Sequence, residues 1–250
     1  TTTGQVIVDQ GKLVLGGPGT LPSIIGGEFQ VAEGAGLDLN GTSFVQAPGQ
    51  CTGAGVSALR GGTLLLETDI LPGLVHAGGS VALGSAFQQA GAITNLTLSG
   101  STLIGTNRVG GGTLLVNGGG LSGQLTVEAG GQLELGGAAE KYLYQLTLIN
   151  QGTVRWTGGR LWGGYTPSTV ITNIGLWEIS TDNTFQHYTG PEPSQFINLG
   201  TVRKSAGSGT ATFSGISFAN SEAGIIEPQA GTFTLPSAYT HSQGTVRLGG

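Results

Sequence analysis

A short motif recurs through the second half of the chain and constrains its fold more than any other feature. Its three clearest copies are Asn-Gln-Gly-Thr-Val-Arg, Asn-Ile-Gly-Leu-Trp-Glu and Asn-Leu-Gly-Thr-Val-Arg, at residues 150–155, 173–178 and 198–203. Looser copies follow at 224–227 and 244–247, and the glycines of the five copies are 20 to 25 residues apart. Such a period predicts that one small structural unit is repeated along the chain.

The residues after each motif glycine alternate between inward and outward character. The same frame can be followed through eleven copies, which begin at Gly11, Ala35, Gly62, Gly79, Gly112, Gly131, Gly152, Gly175, Gly200, Gly224 and Gly244. The second residue after this position is apolar in all eleven copies, and the third is often charged. This alternation is typical of a β-strand with one face in a core. No stretch has the 3.6-residue period of a helix.

The charged position distinguishes between an antiparallel sandwich and a parallel solenoid. In a solenoid, equivalent residues of successive coils stack about 4.8 Å apart. The third residue after the motif glycine alternates in sign over the last five copies, which are Arg155, Glu178, Arg203, Glu227 and Arg247. Stacked opposite charges attract one another, and a sandwich gives no reason for the alternation. The pattern therefore favours a solenoid.

A second column of like residues is predicted just before the motif glycines. It consists of Asn150, Asn173, Asn198 and Asn220, and it leads towards Ser242. Asparagine suits a bend between strands because it tolerates the left-handed conformation and bonds to nearby backbone groups. Stacked asparagine amides also form hydrogen bonds from one layer to the next. We therefore expect a ladder of asparagines at one bend of the coil.

These patterns predict an all-β protein that forms a single parallel β-helix, or β-solenoid. We expect roughly ten to twelve coils of about 20–25 residues, with little or no helix. The solenoid is predicted to span residues 1–250, with a loop insertion over 181–195 where polar residues and prolines interrupt the repeat. The chain contains no methionine, so we expect it to be a segment or a mature piece of a longer protein.

The repeat resembles a known class of β-helix. The Asn-x-Gly-Thr-Val-Arg motif and its variants are similar to the right-handed parallel β-helix repeats of bacterial surface and secreted proteins, of the filamentous-haemagglutinin or autotransporter-passenger type. The resemblance covers most of the chain, and it concerns the fold. It implies export, an elongated molecule and adhesion.

Composition and charge exclude several classes of function. The formal net charge is −5 and the nine Lys and Arg residues are dispersed, so no basic stripe for nucleic acid is predicted. No run of about 18 apolar residues is present, so no membrane-spanning helix is predicted. One cysteine and three scattered histidines have no metal-ligand spacing, and neither metal nor cofactor is predicted. Since the sequence carries no recognisable catalytic constellation, we expect a protein that is not an enzyme.

Aromatic residues concentrate in one region of the chain. Trp156 and Trp177 fall at inward positions and are predicted to lie in the core. Other aromatic residues of this region fall in bends or in the predicted insertion, where an exposed ring can stack on a sugar. The residues predicted as possible saccharide contacts are Trp162, Tyr165, Tyr188 and the neighbouring Arg160.

These observations lead to two functional hypotheses. The first is an extracellular or cell-surface structural and adhesive solenoid, whose partners are further coils of its precursor or other copies stacked end to end. It rests on the repeat, the low charge and the absence of a visible cap at either end of the sequence. The alternative is a carbohydrate-binding or carbohydrate-active β-helix that contacts surface glycans through the aromatic residues.

Overall fold

The structure, a computed structural model, describes residues 4–16 and 21–248. These residues form a parallel β-solenoid of about 11 turns, with about 22 residues in each turn. Neighbouring strands pair in parallel throughout, and the described residues contain no helix. The prediction of an all-β parallel solenoid is confirmed.

The strands become shorter and more regular along the chain. Those of the described residues are β1 (Gln5–Val8), β2 (Lys12–Leu15), β3 (Ser23–Val31), β4 (Gly36–Thr52), β5 (Val56–Leu66), β6 (Leu74–His76), β7 (Ser80–Leu83), β8 (Ala92–Leu98), β9 (Thr102–Leu103), β10 (Thr106–Val116), β11 (Gly119–Val127), β12 (Gln132–Leu135), β13 (Lys141–Asn150), β14 (Thr153–Trp156), β15 (Leu161–Gly164), β16 (Val170–Asn173), β17 (Leu176–Ile179), β18 (Thr184–Thr189), β19 (Gln195–Asn198), β20 (Thr201–Lys204), β21 (Thr210–Ser214), β22 (Ser217–Asn220), β23 (Ile225–Pro228), β24 (Thr232–Thr234), β25 (Ala238–His241) and β26 (Thr245–Val246). Early strands such as β4 run through a bend, whereas the strands from β14 onwards end at each bend.

Each regular coil contributes one strand to each of three sides. β13 makes this plain, because its first half pairs with β15 and its second half with β16. The first side consists of the first half of β13 followed by β15, β18, β21 and β24. The second side consists of the second half of β13 followed by β16, β19, β22 and β25. The third side contains β12, β14, β17, β20, β23 and β26.

The space between the three sides is filled by columns of inward side chains. On the third side, the second residue after the motif glycine is buried in each of five successive coils, as Leu133, Val154, Trp177, Val202 and Ile226. Trp156, also predicted to be core, is fully buried. Burial of each large apolar side chain contributes on the order of 1.5–3 kcal/mol, so these columns are a main source of stability.

The motif glycines allow the backbones of successive coils to approach closely. A β-carbon added at Gly175 would overlap the carbonyl oxygen of Gly152, and one added at Gly200 would overlap the carbonyl oxygen of Gly175. None of these three glycines has a positive φ. Glycine is therefore required here by the close approach of two backbones and not by a special backbone conformation.

The four predicted asparagines lie together at the bend between the second and third sides, which we call the amide corner. The side-chain Nδ2 of each of the first three donates to the Oδ1 of the next asparagine, at 2.7 Å from Asn150 to Asn173, 2.8 Å from Asn173 to Asn198 and 2.7 Å from Asn198 to Asn220. The first three Nδ2 groups also donate to a backbone carbonyl of the next coil. All four side chains are fully buried, and the ladder satisfies amide groups that would otherwise be costly to bury, with the exception of the Oδ1 of Asn150.

The last step of this ladder differs from the expected one by one residue. Asn220 lies in register with His241, and not with Ser242. The Nδ2 of Asn220 donates to the carbonyl of Gly224 at 3.1 Å and lies 3.3 Å from the Nδ1 of His241. The turn that follows His241 has three residues, whereas the turns that follow Asn150, Asn173 and Asn198 have two, so an alignment on the glycines assigns the column to the wrong residue.

The same corner is built differently in earlier coils. β10 passes through it without interruption, and its pairing with β8 slips between Val109 and Thr113, where the sequence is Gly-Gly-Gly. The column that holds the asparagines continues backwards as the buried apolar residues Val127, Val109 and Ile93. We call this construction in β8 and β10 the bulged corner.

The predicted charge ladder runs along the outward face of the third side. Arg155 pairs with Glu178 at 3.0 Å, and Arg203 pairs with Glu227 at 2.8 Å. Arg247 lies 3.6 Å from the second carboxylate oxygen of Glu227. Glu178 and Arg203 are adjacent in register, but the described residues show no ion pair between them. The charges therefore form separate local pairs, each worth up to about 1 kcal/mol at such exposed positions.

A third kind of corner, between the third and first sides, contains buried lysines. Lys141 donates to the carbonyls of Gly137 at 3.0 Å and Gly158 at 2.6 Å. Lys204 donates to Asp182 Oδ1 and to the carbonyl of Ala206, both at 2.7 Å. Both lysine side chains are fully buried. We call this bend the lysine corner, since ammonium groups there bind the carbonyls that the bend turns inward.

The structure does not show one continuous loop insertion over 181–195, because a strand lies within it. Residues Thr184–Thr189 form β18, which pairs with β15 and β21 on the first side. Phe185 is buried in the core, while its neighbours in the strand are polar or exposed and conceal the alternation. The irregular part is the link over 190–194, which connects the first side to the second.

The repeat frame is also wrong in two early copies. Gly62 and Gly79 precede strands of the first side, because β5 and β7 pair from Thr63 and Ser80 onwards and continue through β9 to β11 and β13. The third side of those coils is supplied by the start of β5 and by β6. A glycine followed by alternating apolar residues occurs before strands of the first side and before strands of the third side, so the motif alone does not distinguish these two sides.

Candidate functional site

Five aromatic side chains form a cluster on the outside of the first side, which we call the aromatic surface. Its members are Tyr142 and Tyr144 from β13, Trp162 from β15, Tyr165 from the following bend and Tyr188 from β18. Ring centroids are 5.3 Å apart for Tyr142–Tyr144, 4.5 Å for Tyr144–Tyr165 and 5.4 Å for Trp162–Tyr188. Three successive coils thus contribute to one continuous aromatic area.

Strand alternation and a missing side chain bring these rings together. In β13, Leu143 points inward and is buried, so the tyrosines on either side of it point outward. In the next coil, Gly164 lies in register with Tyr144. Because Gly164 carries no side chain, the ring of Tyr188 from the coil beyond reaches to 5.8 Å from the ring of Tyr144.

Tyr165 is held in an unusual backbone conformation at the edge of the cluster. Its φ is 70°, in the left-handed region that costs a bulky residue on the order of 1–3 kcal/mol. Its N–H donates to the carbonyl of Thr189 at 2.6 Å. A β-carbon at Gly190 would lie 2.7 Å from the carbonyl oxygen of Tyr165, so glycine is needed opposite the bend. This geometry leaves 43% of Tyr165 exposed, and its ring stacks 6.3 Å from that of Tyr188.

The link over 190–194 is anchored below the exposed ring of Tyr188. The backbone N–H of Ser194 donates to the Nδ1 of His187 at 3.2 Å, and the hydroxyl of Ser194 is 3.1 Å from the same nitrogen. Tyr188 itself is 56% exposed. The anchored link fixes the strand that carries this ring, while the ring remains open to solvent.

One cation and one carboxylate border the aromatic surface. The Cζ of Arg160 lies 5.0 Å from the ring centroid of Trp162, in cation–π geometry. The hydroxyl of Tyr142 donates to Glu140 Oε2 at 3.3 Å. Glu140 and Arg160 immediately precede the paired strands β13 and β15, so the surface combines apolar ring faces with a carboxylate and a guanidinium from adjacent coils.

The tyrosine hydroxyls of β13 stay protonated over a wide pH range. Burial, and after it the neighbouring Tyr165, raises the pKa of Tyr144 to about 12. Burial and the carboxylate of Glu140 raise the pKa of Tyr142. At neutral pH these groups are therefore hydrogen-bond donors as well as acceptors.

The structure brings together all four predicted contact residues. Trp162 is half-buried, and Tyr165, Tyr188 and Arg160 are exposed. Sequence reasoning missed Tyr142 and Tyr144 as members of the cluster. The signal that would have found them is the Tyr-x-Tyr alternation of a strand that lies in register with Trp162 in the next coil.

The described residues contain no group of three or more His, Cys, Asp and Glu side chains placed to hold a metal ion. Within the same residues there is no helix long and apolar enough to cross a membrane.

Comparison with known proteins found no matching family, and no curated protein or solved structure matches the chain significantly.

Proposed function

We propose that the chain is an extracellular, non-enzymatic β-solenoid that acts as a structural and adhesive scaffold, with the aromatic surface as its contact region. The observation that carries the proposal is the cluster of five partly exposed aromatic rings on three successive coils. Exposed aromatic patches on folded proteins mark interaction sites more often than scattered apolar residues do. A regular solenoid presents such a patch with little loss of entropy on binding, because its backbone is already ordered.

The repeat supports a finer assignment within this proposal. The Asn-x-Gly-Thr-Val-Arg motif resembles β-helix repeats of bacterial surface and secreted proteins of the filamentous-haemagglutinin or autotransporter-passenger type. Location at the cell surface or outside the cell belongs to the same proposal. The backbone ladders and buried columns support the structural role, since they stabilise an elongated molecule with a single cysteine and hence no internal disulfide.

Self-association is part of the structural role. Within the described residues, β24, β25 and β26 each pair along one edge. A free strand edge is a template for pairing with another strand. We propose further coils of a longer polypeptide, or a second copy of this chain, as the partner of these edges. Electron microscopy and sedimentation of purified protein test this proposal, and filaments or stacked rods are expected over monomers.

The adhesive role is tested with microspheres that carry the purified chain. They are passed under flow over surfaces coated with plant, bacterial and animal polysaccharides and with proteins. The double variant Tyr165→Ala with Tyr188→Ala removes the two most exposed rings, and we expect its retention to fall at least about fivefold on the surface that holds the wild type.

The matched control is the double variant Val75→Ala with Ile174→Ala, which removes exposed apolar side chains outside the aromatic surface. We expect it to be retained like the wild type. Equal retention of the tyrosine variant and the wild type contradicts the proposed contact region.

A carbohydrate-binding or carbohydrate-active β-helix is the second candidate. It is favoured by the pairing of Arg160 with Trp162, since a ring face and a fixed cation are common elements of saccharide sites. Incubation with polysaccharides, followed by measurement of new reducing ends and unsaturated products, separates the two candidates. Clear turnover contradicts the non-enzymatic proposal, whereas binding without turnover leaves an adhesive or binding module.

A further inference from the structure

The cations of this protein are almost all occupied within the molecule. All nine Lys and Arg residues lie in the described ranges. Seven of them pair with a carboxylate within 4.0 Å, and these are Lys12, Arg60, Arg108, Arg155, Arg203, Lys204 and Arg247. Lys141 is fully buried and bound to backbone carbonyls. Among the residues that the structure describes, Arg160 is thus the single exposed cation without a carboxylate partner.

The position of this arginine makes the exception informative. Acidic groups outnumber basic ones, 14 to 9, so an arginine placed at random on this surface has many possible partners. Arg160 instead lies over Trp162, whose ring also contacts the ring of Tyr188. A guanidinium that uses its face for an aromatic ring keeps its N–H edges available for a planar anion.

We propose that the aromatic surface binds a uronic-acid-containing polysaccharide, with a sugar carboxylate paired to Arg160 and pyranose rings stacked on the exposed tyrosines. The proposal rests on the adhesive function proposed above and names the ligand class of the same site. Arginine binds a carboxylate through two parallel hydrogen bonds, which gives both affinity and orientation. The exposed faces of Tyr165 and Tyr188 provide the apolar contact that the C–H faces of a sugar need.

The dimensions of the surface favour a polymer over a single sugar. Its rings come from β13, β15 and β18, so they extend over three coils, or about 10 Å along the rod at about 4.8 Å per coil. The rings lie on the outside of a sheet, where a chain can continue in both directions. The hydroxyls of Tyr142 and Tyr144 offer hydrogen bonds to sugar hydroxyl groups along this length.

Charge distinguishes this ligand from nucleic acid, the other polymer that stacks on aromatic rings. Binding of single-stranded nucleic acid requires a groove with several cations along its phosphates. The aromatic surface has one free cation, Arg160, and the surface also borders the carboxylate of Glu140. The whole chain carries a net charge of −5. One arginine suits a polymer that offers an isolated planar carboxylate beside each apolar ring face.

Isothermal titration calorimetry with a matched pair of polymers tests the proposal. The probes are polygalacturonate and the same polymer after chemical reduction of its carboxyl groups, which leaves a neutral backbone. We expect the wild type to bind polygalacturonate at least about tenfold more tightly than the reduced polymer, as for the loss of one charged hydrogen-bonding partner. The variant Arg160→Gln is expected to lose this preference, and Arg160→Lys to retain only part of it.

The variant Arg155→Gln is the matched control, because Arg155 is an arginine with a 44% exposed side chain outside the aromatic surface. It is expected to bind both polymers like the wild type, and thermal unfolding checks that all variants are folded. Equal binding of both polymers, or unchanged preference in Arg160→Gln, overturns the assignment of an acidic glycan. Tighter binding of dextran sulfate, which carries no uronic acid, or of single-stranded DNA than of polygalacturonate overturns it as well.

The outcome is distinct from that of the adhesion experiment. If the Tyr165→Ala, Tyr188→Ala variant loses adhesion while Arg160→Gln changes nothing, the contact region stands and the acidic ligand is rejected. If the tyrosine variant adheres like the wild type, the proposed contact region fails, and the ligand assignment fails with it.

Discussion

The amide corner and the bulged corner turn the chain through the same bend with opposite chemistry. In the amide corner, strands end at Asn150, Asn173 and Asn198, and their side chains fill the bend with hydrogen-bonded amides. In the bulged corner, β10 continues through the bend and buries Val109 in the corresponding position. One bend of a solenoid is thus stabilised either by a polar ladder or by apolar packing around extra residues.

The polar version has a direction that the apolar version lacks. Every Nδ2 donates forward along the chain, from one coil to the next. The first member therefore has nothing behind it to donate to its own oxygen, because Val127 occupies the preceding position. Asn150 Oδ1 is indeed buried without a hydrogen-bond partner. An amide ladder is stable only when several asparagines follow one another in successive coils, and the energetic cost of its one unsatisfied oxygen falls on the first member.

The largest effect is expected from breaking the run in the middle. Asn173→Ala removes the side-chain acceptor of the Nδ2 of Asn150 and the side-chain donor to the Oδ1 of Asn198. It also removes the hydrogen bond to the carbonyl of Thr201. We expect the free energy of unfolding to fall by about 4 kcal/mol, measured by urea denaturation. Val109→Ala in the bulged corner is the comparison, with an expected loss of about 2 kcal/mol. Equal losses would show that the ladder adds nothing beyond packing.

The glycines of the two corners give the second test. Gly175→Ala places a β-carbon against the carbonyl of Gly152, and we expect a loss of about 3 kcal/mol or more in thermal or urea unfolding. Gly111, in the bulged corner, has no atom within 4 Å of the corresponding position and no positive φ. Gly111→Ala is therefore expected to change stability by less than about 0.5 kcal/mol. Similar losses for both variants would contradict the distinction between the corners.

The lysine corner sharpens the comparison, since its donor is charged and that of the amide corner is neutral. Burial lowers the pKa of Lys141 from its ordinary value of 10.5 to about 8. Between these values the unfolded chain binds a proton that the folded chain does not, so stability from this group rises with pH from about 8 to 10.5 and is constant below 8. The full rise is up to about 3 kcal/mol.

The measurement is urea unfolding of the wild type and of Lys141→Met at several pH values. The difference between the two proteins removes the contributions of other groups whose folded pKa values burial raises, such as Cys51, Tyr142 and Tyr144. We expect the stability of the wild type relative to Lys141→Met to increase over this window. In Asn198→Ala the wild-type slope should persist, since an amide does not titrate. A difference that is independent of pH would contradict a buried lysine of lowered pKa.

The smallest effect is expected where the ladder is extended backwards. Val127→Asn supplies a donor to the unpartnered Oδ1 of Asn150. The turn that follows residue 127 has the same length as the turn that follows Asn220, where an asparagine is already present. This gain offsets the lost apolar burial, so we expect stability within about 1 kcal/mol of the wild type by urea denaturation. Val109→Asn, flanked by Ile93 and Val127, buries an amide without a partner and should cost about 3 kcal/mol. Equal costs would show that Asn150 offers no usable acceptor.

The sequence allowed most of the fold to be predicted, because stacked coils place like residues together. The inward positions of Trp156 and Trp177 follow from strand alternation alone. The association of Asn150 with Asn173, and of Arg155 with Glu178, follows from the period of the repeat.

The register across the three sides and the extent of the aromatic surface could not be predicted from the sequence. Gly62 and Gly79 carry the same local pattern as the motif glycines, yet they precede strands of another side. Tyr144 joins the site through Gly164 and through a ring from two coils away. Such contacts depend on the length of each bend, which a linear pattern does not encode.

Every internal step of the asparagine ladder is chemically the same, and this has a consequence for the length of the molecule. A duplicated unit that carries its own asparagine and glycine can be placed between Asn198 and Asn220, beyond the aromatic surface, with one more identical bond. Each duplication extends the rod by about 4.8 Å and leaves the diameter unchanged. Gene-level copying of one unit is therefore enough to adjust how far the aromatic surface stands from any point further along the rod.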